Sequence, residues 1–510
     1  VVRPDDVVDR SFEWSTLEDF ATSPAPGLRI GLLYGRRRTG KSFLLRRLAA
    51  ATGGLYHMAL EEEPVPALQR FAGRVAASLR VPAGALRFAD WEQALRTATG
   101  VASPAGLGDP PTDRSGGFGL VVIDELPYLL DGSAGSAIPS VLQMLVDDSR
   151  ERPGPPRRVI VCGSALAVMT RLLSGTKALR GRAELDLLLR PFDYRTAAAF
   201  YQAPDAQTAF LLHAVLGGSP GYRDLLPFLP RNPADVDRLL ATTVLNPAHA
   251  LFHEAGYLLR EDPRVTDRAL YHSVLAAIAA GHRTPTAVGG VVGRDARGLT
   301  HPLEVLTSAG FVVREDDVLL QRRPRLRLAD PIVTFSQLIT QPRLATFEDR
   351  RTDEGWADAR PSFESGILGP HFEHLAREWV RRFAGSDALG GPVGEVGSTV
   401  VNDPAGRAQH EVDVVALAPG QRRHGNHPTV RVLGEAKASG APRGLPDLDR
   451  LQRIRALLTS RGVDAAAAKL LLFGRSGFSP NLVTAAGRRD DVELIDLDRL
   501  YSGTPPADRP

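Results

Sequence analysis

One stretch constrains this chain more than any other: "LRIGLLYGRRRTGKSFLLRRLAAAT", residues 28–52, where an apolar run breaks into a Gly- and Arg-rich turn and resumes as an amphipathic helix. The turn fits G-x-x-x-x-G-K-[ST] through Gly35, Gly40, Lys41 and Ser42, and strand before with helix after is the context in which that spacing carries a mechanism. Glycines let the main chain curl until its N–H groups face an anion, the helix start adds its dipole, and a lysine reaches the outer oxygens. The expected phosphate cradle is therefore Gly35, Arg36, Arg37, Arg38, Thr39, Gly40, Lys41, Ser42 and Phe43, with the Ser42 hydroxyl also offered to Mg²⁺. The lysine carries extra weight because the chain hardly uses it. Of 62 Lys and Arg residues only Lys41, Lys177, Lys437 and Lys469 are Lys. A compact ammonium retained among so many planar guanidinium forks marks a site shaped for a point charge.

A nucleotide loop of this kind calls for a second strand ending in a carboxylate. "FGLVVIDELPYLL" supplies it, with Asp124 and Glu125 at the C-terminal end of an apolar run, where ligands sit in open α/β sheets. Asp124 is the expected Mg²⁺ partner and Glu125 the expected general base toward water. A third core strand, "RRVIVCGSALAVM", ends at Ser164, which either senses the terminal phosphate or caps the following helix. Downstream, Arg180 and Arg182 are candidate arginine fingers.

These residues together resemble the archaeal-type P-loop ATPases of the wider AAA+ and STAND group. The resemblance rests on "YGRRRTGKS", "LVVIDELPYL", "VIVCGSALAVM", "RPFDYR" and "GGSPGYRDLL", and it covers the chain nearly end to end. It implies an ATP- and Mg²⁺-dependent ATPase, places Arg182 and the segment 217–222 near the nucleotide, and leads to the expectation of a winged helix and a C-terminal nuclease-like domain.

The rest of the chain fits that plan. "RVTDRALYHSVLAAIAAG", "TPTAVGGVVG" and "ARGLTHPLEVLTSAG" read as three helices, and "FVVREDDVLLQRRP" as strand, turn, strand. Helix, helix, helix, ribbon is the order of a winged helix, which would set the third helix in a major groove and the ribbon arginines (Arg314, Arg322, Arg323, Arg325, Arg327) against phosphate. As a sequence-specific regulator the third helix is poor in the Asn and Gln that read bases.

Residues 363–503 form another α/β unit whose order resembles the core of PD-(D/E)xK nucleases. In "GEAKAS", Glu435 and Lys437 stand two apart on a strand and so share a face. Asp413 from the preceding strand and Glu373 from a helix complete the expected cluster, in which Asp413 and Glu435 bind metal and Lys437 orients the attacking water. Glu411 and Glu378 are rivals for those places. The aromatic pair usual after the first strand is replaced by "GSTVV", which puts cleavage in doubt while leaving the fold. His371 and His374, like His424 and His427, have loose ligand spacing and read as solvated.

Composition sets the outer limits. At 510 residues and 43% hydrophobic content the chain can bury several cores. With Cys162 as its single cysteine it has no internal disulfide and no cysteine zinc site. No apolar run reaches the roughly 18 residues of a membrane span, so the expectation is a soluble, cytoplasmic protein with no membrane partner. A net charge of +3 does not by itself indicate nucleic acid. The expected fold is α/β: a P-loop NTPase core at 1–200, a helical lid at 201–262, a winged helix at 263–345 and a restriction-endonuclease-like domain at 363–503. The expected activity is ATP hydrolysis coupled to action on DNA, with a protein partner or a second copy of the chain also expected. The alternative is a nucleotide-gated signalling ATPase whose C-terminal domain only docks.

Overall fold

The computed structural model describes residues 2–503 apart from 83, 101–116, 131–136, 175–177, 261, 263, 266, 322–323, 405, 422–424 and 426, so Lys177, Arg322, Arg323 and His424 lie outside the described residues. The chain divides into two units, residues 1–191 with 219–221, and residues 192–218 with 222–510.

The first unit runs α1 (Ser11–Thr22), β1 (Leu28–Tyr34), α2 (Lys41–Thr52), β2 (Leu55–Met58), α3 (Pro64–Leu79), α4 (Trp91–Thr99), β3 (Leu120–Asp124), α5 (Ala137–Glu151), β4 (Arg157–Gly163), α6 (Leu166–Leu172) and β5 (Ala183–Leu188). Its five strands pair in parallel in the order β2-β3-β4-β1-β5. Parallel strands need helical crossovers, and helices on both faces explain why β1, β3 and β4 are apolar almost throughout instead of alternating. One face packs on Phe71, Trp91 and Leu142 of α3, α4 and α5, the other on Trp14, Leu17, Leu45 and Leu48 of α1 and α2. Each such side chain contributes roughly 1.5–3 kcal/mol by leaving water. This is the P-loop α/β architecture expected from the loop, with β1 and β3 as next-but-one neighbours whose C-terminal ends face the same edge.

A buried cation locks this sheet to its first helix. Arg158 on β4 is 1% exposed and faces no carboxylate among its bonded partners. Its five N–H groups instead meet the carbonyls of Phe20, Ser23, Ala25, Gly27 and Arg157 at 2.7 to 3.2 Å. Only a guanidinium has that many donors in one plane.

The second unit begins with α7 (Tyr194–Phe200), α8 (Ala206–Leu216), α9 (Pro233–Thr242) and α10 (Ala250–Arg260). Then come α11 (Arg268–Ala279), α12 (Pro285–Val292), α13 (Thr300–Ser308) and an antiparallel ribbon of β6 (Val312–Glu315) and β7 (Arg325–Leu328). A long helical run, Thr352–Ser362 and Gly369–Arg382, is joined by a π turn at Phe363–Leu368. Pro361 and Pro370 withhold two N–H groups from the ladder, and the register slips between them. Last come β8 (Val396–Asp403), β9 (Ala408–Leu417), β10 (Val430–Lys437), the helix Leu445–Ser460, β11 (Lys469–Gly474) and β12 (Val492–Ile495). Their order is β12-β11-β10-β9-β8, antiparallel from β8 to β10 and parallel from β10 to β12.

One apolar core extends through most of this unit. Tyr194, Phe210, Val274, Leu306, Phe335, Phe372, Trp379 and Phe473 belong to a single cluster, so the helices after β5, the ribbon segment and one face of the second sheet are packed together. The other face of that sheet packs on Leu448, Leu451 and Leu482. The ribbon's turn is part of the same packing. Val318 is fully buried against the second sheet, its N–H donates to Ser398 O at 3.1 Å, and Asp317 accepts from the hydroxyl of Thr399 at 2.7 Å.

Candidate functional site

The loop after β1 folds as its residues demand. A Cβ on Gly35 would meet the carbonyl oxygen of Leu189 at 2.3 Å, and Gly40 takes φ 96°, so glycine is required at both ends of the curl. Lys41, only 4% exposed, turns back into the curl and donates to the carbonyls of Gly35 at 2.8 Å and Arg36 at 2.9 Å. Thr39 closes the loop from within through its hydroxyl on Arg36 O at 2.8 Å. Arg38 takes a left-handed φ of 68°, and its carbonyl accepts from the N–H of Gly221 at 3.0 Å, which brings part of the segment 217–222 to the loop. Arg10, invisible as a site residue in the sequence, donates to the carbonyls of Thr39 and Arg190 and pairs with Glu13 at 2.9 Å.

The carboxylates at the end of β3 are brought to the same edge. Asp124 has no exposed surface; one oxygen accepts from the Glu125 N–H at 3.0 Å and the other from the Tyr56 hydroxyl at 2.6 Å. Glu125 stands in the left-handed region at φ 54°, a conformation that costs a non-glycine residue on the order of 1–3 kcal/mol. Its Oε2 accepts from both the N–H and the hydroxyl of Ser164, at 3.2 and 3.1 Å. Ser164 is thus spent on Glu125; the next helix starts after Ala165 without a side-chain cap. Burial pushes the Glu125 carboxyl up while the Lys41 charge draws it down, so the amine and the acid share one field. Of the donors a magnesium ion takes, a hydroxyl and a carboxylate, the site offers Ser42 at the start of α2 and buried Asp124, which fits the ion.

Arg182 is engaged elsewhere within its unit. Its guanidinium makes a two-point pair with Asp147 of α5, at 2.8 and 2.9 Å. Arg180 is exposed.

In the second unit, the expected residues lie near one another but with partners the sequence did not announce. Asp413 on β9 is pushed up to about 7 by burial and by the charges of Glu373, Glu435 and Glu411, and one of its oxygens accepts from the Ala436 N–H at 2.9 Å. Glu373 is likewise raised, chiefly by burial. Glu435 is 4% exposed in its side chain, and its Oε1 is held by Arg450, with Arg443 at 3.7 Å and Lys437 at 3.8 Å; Oε2 has no hydrogen-bond partner. The Lys437 amine, 48% exposed, rests on Asp447 at 2.9 Å. Among the described residues no three His, Cys, Asp or Glu side chains are gathered to hold a metal ion.

Several readings need correction. Two of the ribbon arginines are taken up by carboxylates: Arg325 binds Glu411, which lies 3.7 Å from Arg283 as well, and Arg327 binds Glu315 at 2.7 Å, while Arg314 is exposed. Glu411 is therefore committed to arginines, and Glu378 is bound by Arg382 at 2.9 Å. His371 and His374 are packed inside the unit rather than solvated: His371 meets the His213 ring nitrogen at 3.1 Å, and burial holds both far below the usual histidine range. His427 is exposed, with Nδ1 2.8 Å from Gly462 O. Tyr56, Arg158, Arg443, Asp447 and Arg450 escaped sequence reasoning. Arginine is too common here to signal anything, and Tyr56 becomes informative only once β2 is known to lie beside β3.

No family model matches the chain. An uncharacterized protein of Methanocaldococcus jannaschii is 22% identical over 379 residues, which cover 73% of this chain and 77% of that protein. Among solved structures, a Walker-type ATPase of Pyrococcus abyssi is 19% identical with a TM-score of 0.47, covering 66% of this chain and 97% of its own. The ORC2 protein of Aeropyrum pernix, in ADPNP-ADP complexes, is 15% identical with a TM-score of 0.46, covering 70% and 97%. At such values the fold stands on the strand order and the loop geometry.

Proposed function

We propose that this chain binds and hydrolyses ATP in a Mg²⁺-dependent manner and couples its nucleotide state to a second unit acting on DNA. The observation that carries the reading is the Gly35–Gly40 curl with Lys41 folded inside it, together with the buried Asp124 and half-buried Glu125 at the end of β3. The loop N–H groups and the start of α2 bind the phosphate chain, and Lys41 exchanges two carbonyl partners for phosphate oxygens. Ser42 and Asp124 would hold Mg²⁺, which supplies charge neutralisation between the outer phosphates. Glu125, released from Ser164, takes the proton of the attacking water; burial raises its pKa and so makes it a stronger base than a solvated carboxylate.

For the second unit, three helices followed by a ribbon support a winged helix, and exposed Arg294, Arg297 and His301 near the start of α13 support contact with the DNA backbone. The β8–β12 order, with Asp413, Glu435 and Lys437 on two adjacent strands, supports a nuclease-like domain. A specific observation favours a second reading for that domain, as an inactive docking module: Arg450 sits on Glu435 where a divalent ion would be needed. Among the described residues no helix is long and apolar enough to cross a membrane.

The test is ATP turnover measured with and without duplex DNA, beside Lys41→Ala. Turnover that requires Mg²⁺ and Lys41 supports the ATPase reading, and stimulation by DNA supports the coupling. Phosphate release unaffected by Lys41→Ala would refute the first part. Cleavage of labelled DNA with Mn²⁺, abolished by Glu435→Gln, would refute the docking reading.

A further inference from the structure

We propose that Tyr56 is a positioning residue for Asp124, and through it for the divalent ion that accompanies the nucleotide. The inference rests on the nucleotide reading above and deepens it.

The strand pairing creates the contact. β2 lies beside β3 in parallel with Tyr56 opposite Val122 and Met58 opposite Asp124. Val122 and Asp124 are two residues apart and so point to the same face, the one that α2 covers. Tyr56 projects to that face from the neighbouring strand, and its hydroxyl reaches one pleat forward to Asp124 Oδ2 at 2.6 Å. That distance is typical of an O–H donating to a carboxylate. On its other side the ring carries the Arg46 guanidinium of α2, 5.3 Å from its centroid, so the phenol is clamped between the helix that begins with Lys41 and Ser42 and the strand that ends with Asp124.

An aspartate's terminal torsion is broad and nearly two-fold, so an unrestrained carboxylate turns easily. Here the Glu125 N–H holds Oδ1 and the Tyr56 hydroxyl holds Oδ2, with the buried Cys162 thiol a further neutral partner of the carboxylate, and together they fix its plane. Tyr56 does this as a neutral group. A lysine or arginine in its place would cancel the charge that attracts a cation. Donors of this kind behind a metal-binding carboxylate are worth about 10–100-fold in metal affinity.

The experiment uses the full chain, with the N-methylanthraniloyl derivative of ADP as fluorescent probe and Mg²⁺ as titrant. Tyr56→Phe keeps the ring and removes the hydroxyl, and with it both the bond to Asp124 and the contact that hydroxyl makes with Arg46. The expected result is probe affinity in EDTA within about twofold of wild type, an unchanged melting temperature, and a Mg²⁺ half-saturation raised about tenfold or more. In an Asp124→Asn background the same substitution should have no further effect on Mg²⁺. An unchanged Mg²⁺ half-point in Tyr56→Phe, or an equal weakening with and without Mg²⁺, overturns the proposal. A wild-type chain that does not bind the probe at all refutes the nucleotide reading itself, and with it this one.

Discussion

Each unit gathers carboxylates on its sheet, the first at the end of β3 and the second on the neighbouring strands β9 and β10, and they satisfy those carboxylates in opposite ways. In the first, Asp124 and Glu125 are held by neutral donors, the Tyr56 and Ser164 hydroxyls and two backbone N–H groups, while Lys41 is occupied by carbonyls. Their negative charge is retained, with Lys41 and Arg46 acting on it through space. In the second, Glu435 lies among Arg450, Arg443 and Lys437, and Glu411 is committed to Arg325. There the protein has largely supplied its own counter-charge. Neutral donors orient a carboxylate without discharging it, whereas a fixed guanidinium both orients and discharges. The first arrangement awaits a cation and the second already contains one.

Four experiments press on this contrast. The largest effect is expected from Lys41→Ala, which should weaken nucleotide binding by about 100-fold or more in calorimetry, since Lys41 is the cation folded back into the curl. Glu125→Gln keeps the Ser164 contact and removes the base; turnover should fall by about 100-fold or more at saturating ATP while nucleotide binding stays within about threefold. If it hydrolyses ATP normally, the first site does not work as described.

In the second unit, Arg450→Ala should expose Glu435 and strengthen Mn²⁺ binding about tenfold in calorimetry, a gain lost again in Arg450→Ala with Glu435→Gln. Wild type that already binds Mn²⁺ through Glu435 would erase the contrast. The last experiment concerns Asp413. Its pKa is raised on folding to about 7, so the folded state binds the proton more tightly. The stability this confers is complete below the unfolded value near 4 and is lost as pH rises through about 7. Asp413→Asn keeps an acceptor for the Ala436 N–H but not the charge. Its stability relative to wild type should therefore rise by about 1–3 kcal/mol between pH 4 and pH 8 in urea titrations, and a pH-independent difference would contradict the raised pKa.

Much of the first site was legible because its parts are contiguous. Gly35 to Ser42 is one loop, Asp124 and Glu125 are neighbours, and apolar runs before each reveal the strands that carry them. The second sheet was legible as elements for the same reason, from β8 to β12. What escaped were residues that matter through packing. Ser164 read equally as a cap or a phosphate sensor until its hydroxyl was seen on Glu125. Arg158 looked like any of many arginines, yet five carbonyls enclose it. His371 and His374 looked exposed on a helix whose burial is set by α8, more than 150 residues away in the chain, where His213 waits. Arg325 and Arg327 looked free for phosphate because Glu411 and Glu315 come from other strands.

Local chemistry is written in neighbouring residues: which segments curl, which alternate, which run apolar, and hence the presence of an anion cradle and of carboxylates at strand ends. Charge balance is not, because whether an acid is neutralised depends on which strand or helix lies within about 4 Å of it, and strand order is a property of the folded sheet. The sequence alone determined that Asp124 and Glu435 would stand at strand ends. Tertiary structure alone decided that a phenol would steady the first and an arginine would cover the second.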